Sequence, residues 1–201
     1  MKIVKIDPAR INQSFIAKAV QKIKKGGVVI LPTDTVYGIG CLADSLKGIR
    51  RIYRIKKRNK KKPLPILIGS LRQITGLRLI LTRETKILIK NYWPGPVTLI
   101  VPTTAGGSVG LRMPQHPVAL ALLKKAGPMA VTSVNFSGKA SARKVAEIPA
   151  KIVLAADFII DSGTCPLAIE STVVDMTGRQ IRILRHGYIS QKEIMKAIKD
   201  V

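Results

Sequence analysis

The chain has 201 residues, of which 46% are hydrophobic, and it carries 35 lysine and arginine residues against 11 aspartate and glutamate residues. No apolar run reaches the length of a membrane span and no signal peptide begins the sequence, which excludes a membrane protein and predicts a soluble, cytoplasmic one. The length suits a single domain over residues 1–201. The formal net charge of +24 favours polyanionic partners such as nucleotides or nucleic acids.

The two cysteines, Cys41 and Cys165, have no CxxC spacing and no neighbouring histidine cluster, so the sequence contains no recognisable metal framework. A disulfide between them is one interpretation. Two buried, free thiols are the interpretation that a cytosolic chain favours.

Helices and strands alternate through the first half of the chain. Residues 12–25 predict a helix with one apolar face, capped by Asn12 and ended by Gly26 and Gly27. Residues 28–32 predict a buried strand. The segments that follow predict a helix over 45–57, a strand over 63–69, a helix over 82–91, and strands over 97–102 and 109–114.

Strands dominate the second half, in which two helices have clear end signals. Residues 117–127 begin with proline and end with glycine, and Ser190 and Glu193 form a capping box before a closing helix. The remaining segments predict a strand over 129–135, partial helix over 144–155, and strands over 158–163, 171–176 and 180–187. The pattern predicts an α/β fold with a mixed sheet.

Three polar segments lie at the ends of predicted strands. Residues 56–62 contain six cations in seven positions and lead directly into a strand, so they lie at a sheet rim, where ligand crevices form. Residues 33–37 place two hydroxyls, a carboxylate and a phenol on one turn, and residues 132–141 place hydroxyls and an amide at another strand end. A solvated basic loop and self-capped turns are the alternatives for these segments.

The common signatures of nucleotide loops and covalent catalysis are absent from the sequence. It contains no GxxxxGK(S/T) loop, no GxGxxG and no GxSxG nucleophile elbow, and neither cysteine has the context of a nucleophile. The polar segments therefore favour positioning and charge stabilisation of phosphates over a covalent intermediate.

Several isolated polar residues have two interpretations each. Arg112 and Arg185 are flanked by apolar residues, which predicts either a bound anion or a structural salt bridge. His116 and His186 are either acid/base groups or, as is more common, satisfied turn residues. The carboxylates near predicted strand ends, whose spacing defines no metal site, are Asp161, Glu170 and Asp175.

Seven motifs stand in order along roughly residues 20 to 190: GGVVILPTDTVYGIG, IYRIKKRNKKKPLPILI, YWPGPVTLIVP, VGLRMPQHP, AVTSVNFSGKAS, ESTVVDMTG and ILRHG. Together they resemble the YrdC/TsaC threonylcarbamoyl-AMP synthase family, and seven motifs in this order are far more specific than any one alone. The resemblance implies a YrdC-like twisted mixed sheet with flanking helices around a basic concave pocket. It also implies the short, single-domain form of the family.

The resemblance implies an enzyme that converts L-threonine, bicarbonate and ATP into threonylcarbamoyl-AMP and pyrophosphate. A separate downstream transferase would then use the product to modify tRNA. Carbamate, carboxylate and triphosphate repel one another, so this reaction needs cations and Mg²⁺ rather than a protein nucleophile.

The family's pattern also implies roles for individual residues. Lys56 and Arg58 would be catalytic and would face the ATP phosphates. The implied ATP-binding residues are Arg58, Lys62, Ser108, Ser133, Asn135, Ser141 and Arg185. The implied threonine-binding residues are Thr35, Arg112, Val131 and Ser171. Among these, Arg112 would pair with the carboxylate and Val131 would add a backbone contact.

The sequence departs from the family's pattern at three positions. Asn59 and His186 stand where many members have proline, and Leu67 stands where some members have a histidine near the threonine. A second hypothesis is a module that binds double-stranded RNA or tRNA without ATP chemistry, which the net charge favours. Aromatic residues make up only 4% of the chain, which disfavours stacking on single strands. A third is a relative acting on another carbamoyl or acyl substrate.

Overall fold

The computed structural model describes residues 2–199, which form one mixed sheet with helices on both faces. Its strands are β1 (Ile3–Lys5), β2 (Val29–Leu31), β3 (Gly38–Leu42), β4 (Ile66–Leu67), β5 (Val97–Pro102), β6 (Ser108–Arg112), β7 (Met129–Ser133), β8 (Phe158–Asp161), β9 (Thr172–Asp175) and β10 (Arg182–Arg185). Its α-helices are α1 (Gln13–Lys24), α2 (Leu46–Lys56), α3 (Arg83–Tyr92), α4 (Pro117–Ala126), α5 (Ala150–Ala155) and α6 (Gln191–Lys199). Short 3₁₀ helices cover Leu71–Leu77 and Val145–Glu147.

The strands lie in the order β1-β8-β2-β3-β7-β4-β6-β5-β9-β10. Parallel pairs join β1 to β8, β8 to β2, β4 to β6 and β5 to β9, and the other neighbours are antiparallel. The α/β fold with a mixed sheet is therefore confirmed. None of the helices within residues 2–199 is long and apolar enough to cross a membrane.

Apolar cores hold the helices against both faces of the sheet. On one face, α1 and α4 cover the strands from β8 to β4, and this core includes Ile16, Leu122 and Leu67. On the opposite face, α2 and α5 cover the same strands, and α3 and α6 cover β5, β6 and β9. The helices therefore enclose most of the sheet on two sides.

One region of the α1/α4 face carries polar side chains instead of a packed helix. Strand pairing places Arg112, Thr98, Ser171 and Arg185 on the same face as Leu67. The core beneath α1 and α4 reaches Leu67 and contains no residue of β5, β6, β9 or β10. We call these four polar residues and the strand surface that bears them the open face.

The predicted helix ends are confirmed in detail. At the start of α1, the Asn12 side chain accepts a hydrogen bond from Ser14 N at 2.9 Å. Before α6, Ser190 N donates to Glu193 Oε2 at 2.9 Å and Glu193 N donates to Ser190 Oγ at 3.3 Å, which is the predicted capping box.

The strands differ more from the prediction than the helices do. The strand expected over 63–69 is reduced to β4, because prolines at positions 63 and 65 cannot donate ladder hydrogen bonds. The sequence pattern did not predict β1 or β3. In β3, Cβ atoms at Gly38 and Gly40 would lie 2.6 and 2.7 Å from the Val131 side chain of β7, so packing rather than strand propensity requires glycine there.

Candidate active site

Arg112 lies at the edge of the open face next to β4 and is 6% exposed. Its Nε donates to Gly95 O at 3.0 Å, its Nη1 donates to Thr35 Oγ1 at 2.8 Å, and its Nη2 forms an ion pair with Asp34 Oδ1. The structural salt bridge that the sequence left as one interpretation of Arg112 is therefore present. Because β6 is four positions from β2 in the sheet, the turn at residues 33–36 must extend past β3, β7 and β4 to the edge of the open face to make this contact.

The turn at residues 33–36 is stabilised by its own hydrogen bonds. Thr33 Oγ1 accepts from Thr35 N at 3.1 Å and from Val36 N at 3.2 Å, and it donates to Val36 O at 2.7 Å. Leu167 N donates to Asp34 O at 2.9 Å, which ties the turn to the segment before β9. These bonds fix the Thr35 hydroxyl and the Asp34 carboxylate beside Arg112.

A second polar cluster joins Arg185 to the start of β9. Arg185 Nε donates to Ser171 O at 3.0 Å and its Nη2 donates to Ser171 Oγ at 2.9 Å, while its Nη1 pairs with Glu170. Ser171 Oγ lies 2.8 Å from Thr98 Oγ1, and Ser141 Oγ donates to Glu170. The structure thus brings the predicted residues Ser141, Ser171 and Arg185 together through Glu170.

Lys56, at the end of α2, is 1% exposed and holds the end of β7. Its Nζ donates to Asn135 O and Asn135 Oδ1, both at 2.7 Å, and also to Ser133 O. These contacts use all three N–H groups of a lysine ammonium. Ser133 Oγ donates to Asn135 Oδ1 at 2.8 Å, so the structure groups three of the predicted residues in one hydrogen-bonded cluster.

The cations of these clusters influence one another. Burial and, to a smaller extent, the charge of Arg58 lower the pKa of Lys56 to about 8, and the Glu170 carboxylate partly opposes them. Burial also lowers the pKa of Arg112, and the like charge of Arg185 adds to this. Such mutual shifts are typical of functional sites in which several charges converge.

The basic loop, residues 57–62, runs from α2 toward β4. Arg58 Nε donates to Lys62 O at 3.0 Å and Arg58 Nη2 donates to Pro63 O at 3.2 Å, so this guanidinium also holds the loop in shape. The Lys62 side chain is exposed. The loop therefore presents a bonded arginine and an exposed lysine at the rim of the sheet.

Ser108 is exposed at the amino end of β6. Because β4 and β6 are parallel, this is the end at which the basic loop enters β4. Arg112 lies at the other end of β6, about 13 Å away at ~3.3 Å per residue. The structure therefore places Ser108 near the basic loop and does not bring it to the Arg112 cluster.

Val131 offers a backbone acceptor rather than a side chain. Val131 N donates to Pro65 O at 2.9 Å. Proline has no N–H, so Pro65 cannot return a ladder hydrogen bond to the Val131 carbonyl. This carbonyl is the acceptor available for the backbone contact that the resemblance implies at Val131. Leu67, two residues after Pro65, pairs with Arg112 across β4 and β6, so β4 lies between the Val131 carbonyl and Arg112.

The remaining candidates have different environments. Cys41 and Cys165 are buried, free thiols, as predicted, and burial raises their pKa values to about 12 and about 11, so neither is a nucleophile near neutral pH. His186 is exposed after β10. His116 is buried before α4, and its Nδ1 has no hydrogen-bond partner among residues 2–199, so it is not the satisfied turn residue that the sequence favoured.

A cavity of about 870 Å³ adjoins the Ser141–Glu170 contact. It is lined by residues 138–143 together with Val36, Glu147, Ala168 and Glu170. Its volume is in the usual range for small-molecule sites. The lining contains two cations, Lys139 and Arg143, and two carboxylates, Glu147 and Glu170, so the cavity has no excess of positive charge. The basic concave pocket that the resemblance implies therefore stays a prediction.

The described residues do not form a dedicated metal cage. Within residues 2–199 no group of three or more histidine, cysteine, aspartate or glutamate side chains is placed to hold a metal ion. Glu170, the carboxylate nearest the predicted nucleotide residues, already accepts from Ser141 and pairs with Arg185. These residues fit a Mg²⁺ ion that binds together with the substrate, because substrate phosphates commonly supply several of the ligands of Mg²⁺.

The sequence did not assign a site role to Asp34, Thr98 or Glu170. Asp34 and Glu170 stand next to Thr35 and Ser171, which did receive roles, and this adjacency was the available signal. Thr98 stands in the third motif, which contains no residue with an assigned role. Their partners are 78, 73 and 29 residues away for the contacts with Arg112, Ser171 and Ser141, so no local pattern reveals them.

Comparison with known proteins defines the class of this chain. The family model for Sua5, YciO and YrdC proteins, described as telomere recombination, matches residues 21–187. This range contains the open face, the turn at residues 33–36, the basic loop and the Lys56 cluster. The chain therefore belongs to the Sua5/YciO/YrdC family.

Two relatives are named threonylcarbamoyl-AMP synthase. The chain is 35% identical to that of Pyrococcus abyssi and 34% identical to that of Bacillus subtilis, in each case over 96% of this chain and 59% of the relative. A Methanocaldococcus jannaschii relative is 32% identical over 97% of both chains. The chain thus spans the full length of some relatives and about three fifths of others.

Solved structures confirm the twisted mixed sheet with flanking helices. P. abyssi Sua5 complexed with L-threonine superimposes with a TM-score of 0.93 at 33% identity, covering 100% of this chain and 62% of that one. Escherichia coli YciO superimposes with a TM-score of 0.85 at 27% identity, covering 96% and 98% of the two chains.

Proposed function

We propose that this protein is an L-threonylcarbamoyladenylate synthase, which forms threonylcarbamoyl-AMP and pyrophosphate from L-threonine, bicarbonate and ATP. The observation that carries the proposal is the convergence of Arg112 and Arg185 with hydroxyl groups on the open face, with Lys56 close enough for its charge to interact with Glu170. The reaction must bring a carbamate, a carboxylate and a triphosphate together, and fixed cations relieve their repulsion. The names of the relatives and the threonine bound to P. abyssi Sua5 support the same reading.

The proposed chemistry has two steps. The threonine amine attacks the carbon of bicarbonate and water leaves, which forms a carbamate. A carbamate oxygen then attacks the α-phosphorus of ATP, the bond from that phosphorus to the bridging oxygen of the β-phosphate breaks, and pyrophosphate leaves. Neither step needs a protein nucleophile, so the protein contributes position and charge.

The threonine subsite is proposed at the Arg112 cluster. Arg112 would hold the substrate carboxylate, with hydroxyl groups from Thr35 and Ser171 and the Val131 carbonyl around the rest of the molecule. Arg112 and Ser171 lie on the open face, the Thr35 hydroxyl contacts Arg112, and the Val131 carbonyl lies on the side of β7 that faces β4. We propose that one small amino acid touches all four groups.

The nucleotide subsite is proposed between the basic loop and the cavity beside Ser141. Arg58 uses two of its five N–H groups within the loop, which leaves three for phosphate oxygens. The other proposed contacts are those of Lys62, Ser108, Ser133, Asn135, Ser141 and Arg185. We assign Lys56 a positioning role in addition to its charge, because its three donors already hold residues 133 and 135.

Mg²⁺ is proposed to enter with ATP, bound mainly by the phosphates. It would neutralise charge on the triphosphate and the leaving pyrophosphate. The mixed anhydride product would pass to a downstream transferase acting on tRNA in the cytoplasm.

The test is pyrophosphate release from ATP in Mg²⁺ buffer, with L-threonine and bicarbonate added separately and together. We expect release only when both are present, with a product of the mass of threonylcarbamoyl-AMP, and we expect chelation of Mg²⁺ to abolish it. A folded protein that releases no pyrophosphate under any combination would contradict the proposal.

Binding of double-stranded RNA or tRNA is a second candidate, favoured by a separate basic cavity. This cavity, of about 710 Å³, is lined by Lys2, Lys22, Arg51 and Arg54 with Asp157 as its one carboxylate. Side chains from α1 and α2 contribute to it, and Arg51 is held in place by its ion pair with Asp157 at 2.6 Å. A duplex that binds here while ATP chemistry is absent would favour this function over synthesis.

A further inference from the structure

Two buried polar atoms in the region of Arg112 lack a hydrogen-bond partner. Across residues 2–199, Asp34 Oδ2 and His116 Nδ1 are the buried side-chain nitrogen and oxygen atoms in this condition. Asp34 is 3% exposed and His116 is 5% exposed. An unpaired buried carboxylate oxygen is costly, and native proteins rarely keep one without a functional reason.

The free oxygen of Asp34 is held in a fixed place. The other carboxylate oxygen, Oδ1, pairs with Arg112 Nη2, and the Asp34 main-chain oxygen accepts from Leu167 N at 2.9 Å. Both ends of the residue are therefore anchored. Oδ2 remains beside the Arg112 guanidinium as an acceptor with a negative charge.

Arg112 has donors left for the other half of the same ligand. A guanidinium has five N–H groups, and three of those on Arg112 are used by Gly95, Thr35 and Asp34. One N–H on each terminal nitrogen remains. A free carboxylate oxygen next to two free N–H groups complements an ammonium next to a carboxylate, which is the charge pattern of an α-amino acid.

His116 does not supply the missing cation. Burial lowers the pKa of His116, which the nearby charge of Asp34 opposes without reversing it, so the imidazole is neutral at neutral pH. No hydrogen bond joins His116 to Asp34 in the structure. Asp34 Oδ2 therefore has no hydrogen-bonded cation among residues 2–199, and a bound ligand with a positive charge would supply one.

We propose that Asp34 Oδ2 binds the α-ammonium group of the amino-acid substrate, while the remaining N–H groups of Arg112 bind its α-carboxylate. This inference rests on the proposed function and extends it by naming the group that recognises the amine. A zwitterion with no net charge enters an ion pair with no net charge, so the buried site stays electroneutral. Asp34 is then the residue that selects an α-amino acid over a carboxylic acid of the same shape. It holds the nitrogen that attacks bicarbonate after the ammonium group has released one proton to solvent.

The first test uses the unaltered protein and two ligands that differ by the ammonium group. Isothermal titration without ATP compares L-threonine with (R)-3-hydroxybutyrate. We expect the hydroxy acid to bind about 10- to 100-fold more weakly, because it leaves a buried carboxylate oxygen unpaired. Equal affinities would overturn the inference and leave the proposed function standing. Absence of any L-threonine binding, together with no pyrophosphate release, would overturn both.

The second test assigns the effect to Asp34. Asp34→Asn retains an oxygen acceptor for Arg112 and removes the negative charge. We expect L-threonine binding to weaken about 10- to 100-fold. We expect 3-hydroxybutyrate binding to stay the same or tighten, because Arg112 no longer faces a competing carboxylate.

The matched control is Asp44→Asn, the same substitution at an exposed position, which should retain the full preference for L-threonine. ATP binding and the circular dichroism spectrum report whether Asp34→Asn is folded. A folded Asp34→Asn protein that retains the preference for L-threonine would overturn the inference. If that variant does not fold, the ligand comparison on the unaltered protein decides alone.

Discussion

The cationic side chains of this site donate hydrogen bonds to protein oxygens in addition to facing the proposed substrates. Lys56 binds oxygens of Ser133 and Asn135, Arg58 holds the basic loop, and Arg185 binds Ser171. The family's pattern assigns these cations to ATP, and the structure adds that each is already bonded to protein oxygens. Deleting Lys56 therefore removes a positive charge and also leaves buried acceptors unpaired, whereas the acceptors that Arg58 binds are exposed.

Lys56→Ala should lower both stability and synthesis. It removes three hydrogen bonds from a fully buried ammonium, so we expect the free energy of unfolding to fall by about 2–4 kcal/mol. Urea denaturation and pyrophosphate release measure the two effects. Lys47→Ala, at an exposed position of the same helix, should change neither. A Lys56→Ala protein as stable as the parent would contradict the holding role.

The rate of synthesis should fall above pH about 8, where Lys56 loses its proton. The neutral amine has two N–H donors for three oxygens, so the end of β7 loses a contact. The pKa is lower in the folded protein than its ordinary value of 10.5, so this proton loss does not itself favour unfolding, and activity should fall before the fold does. Initial rates measured alongside circular dichroism would show the order of events.

Lys56→Gln is the control for this pH dependence. Its neutral amide does not titrate, so its residual rate should be flat through pH about 8. A parent enzyme whose rate is unchanged well above that pH would show that the charge of Lys56 is not required.

At the scale of elements, the pairing of β3 with β7 sets the spacing between two parts of the site. β3 follows the turn at residues 33–36, and β7 leads to Asn135. The Val131 side chain fills the space that Cβ atoms at Gly38 and Gly40 would occupy. The two strands, and the residues that they position, therefore depend on a close contact between backbone and side chain.

Gly40→Ala should destabilise the protein. The new Cβ would lie 2.7 Å from Val131 Cγ2 and 3.1 Å from Ala130 O, and overpacking of this kind costs about 1–3 kcal/mol. Urea denaturation measures the loss. Gly76→Ala, with no atom within 4 Å of the new Cβ, is the matched control and should be neutral or slightly stabilising.

A double variant separates the clash from other effects of the same substitution. Adding Val131→Ala removes the atom that the new Cβ would approach most closely, so Gly40→Ala should cost less in that background. Fully additive losses would mean that the clash is not the cause.

At the scale of the whole molecule, positive charge is the dominant property. The sequence has 35 basic residues for 11 acidic ones, so most cations have no carboxylate to pair with. Arg112 is a buried exception, whereas the basic loop and the surface around Lys22 and Arg54 face solvent. Salt should therefore affect the surface cations strongly and the open face weakly.

Binding of a double-stranded RNA should weaken steeply with added salt, while pyrophosphate release should change far less. Four cations at the second cavity predict a slope of about −3 to −4 in log affinity against log salt concentration. Fluorescence anisotropy measures it. Combined Lys22→Glu and Arg54→Glu should weaken RNA binding more than Lys86→Glu and Lys90→Glu on α3. Equal losses would place RNA elsewhere on the surface.

Local signals predicted most of the elements because they act within a few residues. Asn12, Ser190 and Glu193 satisfy helix-end donors regardless of the rest of the fold, and proline and glycine mark where α4 begins and ends. The seven motifs predicted the family because their order along the chain can be identified without knowing which motifs meet in the fold. Local signals did not predict β3, because its glycines are required by the contact with Val131 of β7.

The amino-acid sequence predicts the class of fold, the family, and a set of polar segments at strand ends. How those segments meet follows from the packing of the strands. Asp34 and Arg112 are 78 residues apart and pair because the turn after β2 reaches the edge of the open face. Glu170 joins Ser141 to Arg185 for the same kind of reason. Such contacts depend on strand order and register, which bring distant residues together, and no periodicity within a single segment contains that information.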